Sequence, residues 1–339
     1  IDFTPNGENT QGIALFARNP GGAPANVLAM NACLGGKTAF IGKVGKDGFG
    51  DFLRQTLIDS GIDVSGLAVD EKVPTTLAFV QLDANGDRSF TFYRSPGADV
   101  MLTEAEVNTA LIDDCTVFHF GSVSMTAEPC RTATLAAARY ARQRGKLVSF
   151  DPNYRPLLWE STAEAVRQMQ AGVELADLLK VSEEEMQLIT GETDLERGSK
   201  ALLDMGPALV LISLGEKGAY YRNAVCAGAL PTFAVQTVDT TGAGDAFMGA
   251  IHYLLKGTTA EELRNIPDSA LREIVRFGNA AGSLTTTKGG AIPAIDLTQE
   301  LGWMLYDLDY ADPQDIRAQF FRARLERGVL DCRNVEVVT

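Results

Sequence analysis

Histidine is nearly absent from this chain of 339 residues, which carries two, His119 and His252. That scarcity excludes multi-histidine metal centres and leaves little room for a Ser-His-Asp arrangement. Each histidine sits within an apolar run, so both read as core residues with satisfied ring nitrogens. Cysteine offers no more. Cys33, Cys115, Cys130, Cys226 and Cys332 are scattered, odd in number and never spaced C-x-x-C, which argues against a disulfide framework or a zinc site and for thiols kept reduced in a cytoplasm. No apolar run reaches the roughly 18 residues that span a bilayer, and no signal-peptide pattern opens the chain. A cytoplasmic protein without a membrane partner is expected. Positive charge is short as well, with 30 Lys and Arg against 44 Asp and Glu and a net charge of −14. A duplex-binding surface is normally basic, so no nucleic-acid partner is expected, although a local cluster of Arg and Lys can still hold a small anion.

What the chain does contain is glycine, 33 residues against 13 prolines with ordinary hydrophobic content, the profile of a loop-rich globular protein. The length suits one large α/β domain or two modest ones. The opening Ile1-Asp2-Phe3 reads as a trimmed amino terminus, cut after or within a first strand. Phe3 to Asn9 is polar and turn-like, and Ile13 to Ala17 is a short strand candidate. Asn19-Pro20-Gly21-Gly22-Ala23-Pro24-Ala25-Asn26 then leads into a helix, with two adjacent glycines that imply close backbone approach and with Asn26 offering an amide one turn inside. Gly35-Gly36-Lys37-Thr38 lacks the earlier glycine of a P-loop, because Asn31 stands there. Ala39 to Val44 reads as a strand, Gly45 to Gly50 as a turn, Asp51 to Ser60 as a helix, and Gly61 to Val64 as the end of that unit.

The period then changes. Thr75 to Asp83 and Arg88 to Arg94 alternate polar and apolar residues around Ala84-Asn85-Gly86-Asp87, whose Asn-Gly pair marks a hairpin. Such a flap can cover a site, with Arg94 at its exit. From Leu111 the βα alternation is regular, with strands at 117–120, 147–150, 178–181 and 208–213 and shorter ones at 220–222 and 233–237. Polar clusters recur at the carboxyl ends of these strands, the edge of an open α/β sheet where ligands bind. Asp151, Asn153, Arg155, Glu185, Gly215 and Asp245 are therefore expected in one cleft. A helix from Ala270 to Leu284 contains Asn279, and the regular domain closes near residue 297. Residues 298–339 differ in character and form a separate tail.

The most informative stretch is Val238 to Met248, V-D-T-T-G-A-G-D-A-F-M. Gly242 and Gly244 allow backbone NH groups to converge, and the following helix start carries partial positive charge, so the turn suits a phosphate. Asp245 would repel that phosphate unless it serves to take a proton from an attacking hydroxyl. The residues alone thus point to phosphoryl transfer onto an alcohol.

Residues 1 to about 297 resemble the ribokinase, or PfkB, family of carbohydrate kinases, and within it the bacterial fructokinases. The resemblance rests on Asn19 to Asn26 with Gly45-Lys46-Asp47-Gly48-Phe49-Gly50, and on Asp239-Thr240-Thr241-Gly242-Ala243-Gly244-Asp245-Ala246-Phe247. It implies a three-layer α/β/α sandwich with a small β-sheet lid, formed by segments about 10–18 and 74–97, and a reaction in which ATP phosphorylates a sugar hydroxyl, fructose giving fructose 6-phosphate. By the same resemblance Asp245 is the base, and the NH groups of Gly242, Ala243 and Gly244 form an anion hole. Asp2, Gly21, Gly22, Asn26, Arg94, Asn153 and Arg155 bind the sugar, while Ser213, Gly215, Asn279 and Gly289 meet the nucleotide. Glu185 helps to hold Mg²⁺ through water, with Ser182 replacing the asparagine usual in that motif. Asp239 and Thr241 resemble ligands of a monovalent-cation site, K⁺ being the candidate.

The family's first strand is missing from this reading, and Asp2 is expected to be poorly held, with a weakened sugar site. A homodimer through the lid hairpin is also expected. The alternatives within the fold are a 2-keto-3-deoxygluconate kinase, for which Arg94 and Arg155 would pair the substrate carboxylate, and a nucleoside kinase. A catalytically impaired, kinase-like nucleotide-binding protein is the alternative outside enzymes.

Overall fold

The computed structural model describes residues 1–82, 88–295 and 335–338. The Asn85-Gly86 turn and the tail segment 296–334 lie outside the described residues. The strands are β1 (Asp2–Glu8), β2 (Ala14–Asn19), β3 (Lys37–Gly45), β4 (Ile62–Asp70), β5 (Leu77–Leu82), β6 (Arg88–Tyr93), β7 (Cys115–Gly121), β8 (Leu147–Asp151), β9 (Leu178–Ser182), β10 (Leu209–Ser213), β11 (Ala219–Asn223), β12 (Ala227–Leu230) and β13 (Val335–Val338). The helices are α1 (Ala23–Cys33), α2 (Gly48–Asp59), α3 (Thr109–Asp114), α4 (Cys130–Gln143), α5 (Thr162–Leu175), α6 (Glu183–Thr190), α7 (Leu195–Asp204), α8 (Ala243–Leu255), α9 (Ala260–Arg264) and α10 (Asp268–Thr285).

Strands β7 to β10 are near-continuous apolar runs, and such runs form strands buried on both faces. Their side chains divide by parity. Phe118, Phe120, Val148 and Phe150 pack against Ala133, Ala137 and Ala141 of α4 and Met169 and Val173 of α5. Val117, Leu147, Leu209 and Leu211 pack instead against Phe247, Met248 and Ile251 of α8 and Leu271, Ile274 and Val275 of α10. Burying each large apolar side chain contributes roughly 1.5–3 kcal/mol, so both helical layers are held to one sheet by hydrophobic burial. Its strand order is β12-β11-β10-β9-β8-β7-β13-β3-β4. From β10 to β4 every pairing is parallel, and β11 and β12 turn antiparallel at one edge. This is the expected three-layer α/β/α sandwich, and it gathers the carboxyl ends of β7, β8 and β9 at one rim.

A second sheet, ordered β2-β1-β5-β6, makes the lid. It includes Asp2–Glu8, which the sequence reading takes as polar turn. The reason is tertiary: Asp2 to Pro5 pair antiparallel with Phe16 to Asn19, and Asp2 and Phe3 pair parallel with Ala78 and Phe79. Asp2 is therefore held on both backbone edges, contrary to the expectation of a loosely held residue. Two further expectations fail in the same way. Gly61 to Val64 opens a strand instead of ending a unit, and no strand forms at 233–237, the antiparallel partner of β11 being Ala227–Leu230.

The inner position between β7 and β3 is taken by Val335–Val338. Val337 pairs with Ala39 on one side and with Phe118 on the other. Part of the segment assigned to the tail thus lies inside the main sheet.

Candidate active site

Between the lid and the carboxyl rim of the main sheet lies a cavity of about 790 Å³. Its walls include Asp2, Gly21, Gly22, Asn26, Arg94, Asn153, Arg155, Thr241, Gly242, Gly244 and Asp245, so the fold gathers eleven of the candidate residues from five stretches of the chain. Two glycines meet steric demands that no other residue satisfies. Gly242 caps α8 with φ 78, and a Cβ there would sit 2.6 Å from that of Ala291. At Gly21 a Cβ would lie 2.3 Å from Oδ2 of Asp2, so the glycine pair lets the backbone close over that carboxylate.

Asp245 lies in the first turn of α8 and is 7% exposed. The Asn26 side-chain amide donates to its Oδ2 at 2.8 Å, and the Asn153 amide donates to Oδ1 at 3.1 Å. The two donors come from opposite sides, one from α1 and the other from the loop after β8. Asn153 itself adopts φ 48, a left-handed conformation that asparagine tolerates better than most residues. Burial pushes the Asp245 pKa above the usual carboxylate value, opposed by the Asn26 hydrogen bond, the charges of Lys180 and Arg155, and the Asn153 bond. Among the described residues, Oδ1 of Asn26 is buried without a hydrogen-bond partner. A buried amide oxygen of this kind calls for a donor, and a hydroxyl is one group that would fit.

Around Asp245, the NH groups of the first α8 turn have no helical partners of their own. The NH of Ala243 turns back to the Thr240 carbonyl at 3.3 Å, a long bond. Asp2, on the opposite wall, is pushed up by burial, with Arg155 among the charges that offset this. Arg94 lines the cavity, yet its donors are committed to the protein. Nε donates to Asp99 at 2.7 Å, Nη1 to Thr126 Oγ1 at 2.8 Å and Nη2 to the Val123 carbonyl at 3.0 Å. It ties the hairpin exit to the main domain, which leaves Arg155, exposed at the rim, as the cavity's more available guanidinium.

Ser213, Gly215, Asn279, Gly289, Glu185 and Asp239 are not among the residues lining this cavity. Ser213 is the last residue of β10, and Gly215, with φ 60, follows the strand. Asn279, on α10, donates to the carbonyls of Leu230 and Pro231 at 3.3 and 3.1 Å. Asp239 accepts from the Thr241 NH and hydroxyl at 3.0 and 2.7 Å and from the Gly290 NH at 3.1 Å. It thereby braces the loop before α8 against the segment carrying Gly289. Glu185 forms a capping box with Ser182 at the start of α6, and its oxygens accept from the NH groups of Tyr154 (2.6 Å) and Ser182 (2.7 Å).

A buried charge in the cavity wall escapes the sequence reading. Lys180, in the middle of buried β9, lines the cavity beside Asp151 and is paired with it at 2.8 Å, both side chains being under 10% exposed. Its signal was a lone cation inside the run Leu178-Leu179-Lys180-Val181. Both histidines are buried, as expected of core residues, and His119 also borders the cavity. His119 Nδ1 and His252 Nε2 both meet the Ser149 hydroxyl, at 3.0 and 2.7 Å.

Comparison with known proteins bears on this geometry. The family model described as pfkB family carbohydrate kinase matches residues 1–297. Fructokinase-2 of Solanum lycopersicum is 43% identical over 306 residues, covering 88% of this chain and 92% of the relative. Fructokinase-1 of Zea mays is 44% identical over 307 residues, covering 89% and 93%. Among solved structures, the Xylella fastidiosa fructokinase with bound ATP superposes with a TM-score of 0.84 at 32% identity, covering 91% of this chain and 95% of the other. A Vibrio cholerae fructokinase bound to fructose, ADP and calcium gives 0.80 at 36% identity, covering 90% and 96%.

Proposed function

The chain belongs to the pfkB family of carbohydrate kinases, and from that premise we propose that it transfers the γ-phosphoryl group of ATP to a hydroxyl of fructose, giving fructose 6-phosphate. The observation that carries this reading is the Asp245 carboxylate, clamped by the amides of Asn26 and Asn153 at the anion-binding start of α8. Asp245 takes the proton of the attacking hydroxyl. The oxygen's freed electron pair forms the new bond to phosphorus while the bond from phosphorus to the bridging oxygen breaks, and ADP leaves with the electron pair of that broken bond. The first NH groups of α8 face the charge on the group in transfer. Asp2, Gly21, Gly22 and Asn26 form the sugar side, and the unpartnered Oδ1 of Asn26 supports a hydroxyl-bearing acceptor. The nucleotide reaches toward Ser213, Gly215, Asn279 and Gly289. The names of the plant and bacterial relatives support fructose as acceptor.

Among the described residues no group of three or more His, Cys, Asp or Glu side chains is arranged to hold a metal ion. A Mg²⁺ ion would arrive on the nucleotide phosphates and keep most of its water, with Glu185 as an outer carboxylate. Bound there, Mg²⁺ would neutralise phosphate charge. The oxygens of Asp239 and Thr241 suit a hard monovalent cation such as K⁺.

The engagement of Arg94 by Asp99 weighs against a 2-keto-3-deoxygluconate kinase, because one of the two guanidiniums for the acid's carboxylate is already paired. ADP release with fructose, 2-keto-3-deoxygluconate, ribose and adenosine as separate acceptors tests the assignment, and fructose should give the highest kcat/KM. Asp245→Asn should lower kcat on fructose by about 10²-fold or more. Turnover near the wild-type rate would refute the assignment of the base.

The face of the lid turned away from the cavity is aromatic, with Phe79 against Phe3, Phe16 and Tyr93. Phe16 is 47% and Tyr93 64% exposed, which supports a homodimer through this face, to be read as molecular mass in solution. No helix among the described residues is long and apolar enough to cross a membrane. Cys33, Cys115, Cys130 and Cys226 carry free thiols, which suits the reducing cytoplasm proposed for it.

A further inference from the structure

Among the described cavity-lining cations, Lys180 is the one that lies against the turn that begins α8. A Cβ built on Gly244 would come within 3.0 Å of the Lys180 Nζ, so the ammonium lies directly under the glycine whose NH faces the anion site. Lys180, Gly242, Gly244 and Asp245 all border the same cavity. The one hydrogen bond found for Lys180 among the described residues goes to Asp151 Oδ2, at 2.8 Å, whereas an ammonium has three donors. It is buried, with carboxylates nearby. Asp151, Glu185 and Asp245 all hold it charged against the cost of desolvation, and its own charge acts in turn on Asp245 and His119. A buried ion pair contributes little to stability compared with an apolar pair of the same shape, and β9 is otherwise apolar. A structural role alone does not account for a lysine at this position.

Resting on the kinase reading above, we infer that Lys180 is the fixed cation of the phosphoryl site: its free N–H donors contact the transferred phosphoryl group from below Gly244, while Asp151 holds the ammonium in that place. Charge on the equatorial oxygens is then met from one side by the backbone NH groups and from the other by Lys180. A preorganised cation in a water-poor site acts on developing charge without reorganising at the moment of reaction. The absence of a side chain at Gly244 follows from the same arrangement, because a methyl group there would push the ammonium off its station.

The test compares Asp151→Asn, Lys180→Met and the double variant Asp151→Asn/Lys180→Met, the last leaving no unpaired charge at the pair if Lys180→Met alone fails to fold. A structural ion pair predicts similar losses whichever partner is removed. The proposal predicts that the double variant, relative to Asp151→Asn, loses kcat by about 10²-fold with KM for fructose changed little, as for removal of one oxyanion donor. In calorimetry it should bind AMP-PNP about tenfold more weakly, the scale of one charge-assisted contact, with ADP affinity unchanged, since only the former carries a γ group. A folded double variant with kcat within threefold of Asp151→Asn, or with AMP-PNP and ADP weakened alike, would overturn the role of Lys180. If the wild-type protein phosphorylated none of the acceptors, the kinase reading would fall, and the comparison of AMP-PNP with ADP would still decide whether Lys180 meets a γ group.

Discussion

At Asp245 two effects oppose one another. Burial favours the protonated acid, while the Asn26 amide, Lys180, Arg155 and the Asn153 amide favour the carboxylate, and burial wins. A general base must be ionised to accept a proton, so the rate falls as pH drops through its pKa. A raised pKa moves that fall to higher pH. The acid limb of kcat/KM for fructose is therefore expected above the ordinary carboxylate range, since kcat/KM reports the free enzyme. Asn26→Ala removes a hydrogen bond to the ionised form and should move the limb further up. A limb at or below the ordinary range, unmoved in Asn26→Ala, would contradict this account. Asp245 and its glycines were readable from the sequence because a glycine turn, a helix start and a carboxylate lie together in the chain. Asn153 as a clamp was only half readable, since its grip on Asp245 depends on a left-handed φ that the loop imposes.

The lid shows why elements are harder to read than motifs. Its second hairpin announces itself by alternation, but β1 contains Pro5 and Gly7 and scarcely alternates. It is a strand because β2 and β5 supply partners on both sides. The resulting sheet presents Asp2, Thr4, Ala78 and Val80 to the cavity and the Phe3, Phe16, Phe79 and Tyr93 cluster to the outside. An exposed aromatic face of this kind marks an interaction surface. If a second copy covers it, Phe16→Glu with Tyr93→Glu should halve the mass measured by light scattering, because charge cannot be buried at such a contact without pairing. A monomer mass for the unaltered protein would end the dimer proposal. Arg94 belongs to the same scale: its bonds to Asp99, Thr126 and the Val123 carbonyl fix the lid's exit to the domain below.

For the whole molecule, the main sheet depends on its inner strand. Val335–Val338 pairs in parallel with both β3 and β7, so these four residues join the two parts of the sheet. Proline cannot donate to a ladder and is confined to edges. Val337→Pro should therefore lower Tm by on the order of 5 °C or more, a shift that corresponds to a loss of a few kcal/mol in a chain of this size. An unchanged melting curve would show that the strand is dispensable. By itself the sequence determined the α/β alternation, the glycine turn and the carboxylate in the first turn of α8, because each is encoded by residues adjacent in the chain: apolar period, glycine spacing, an aspartate at a helix start. Tertiary structure alone decided that Asp2–Glu8 is a strand, that Arg94 is bound to the protein, that Lys180 lies under Gly244 and that residues 335–338 complete the sheet. Each of these depends on a partner far away in the chain, and local propensity carries no record of which distant backbone edge or buried charge will meet it.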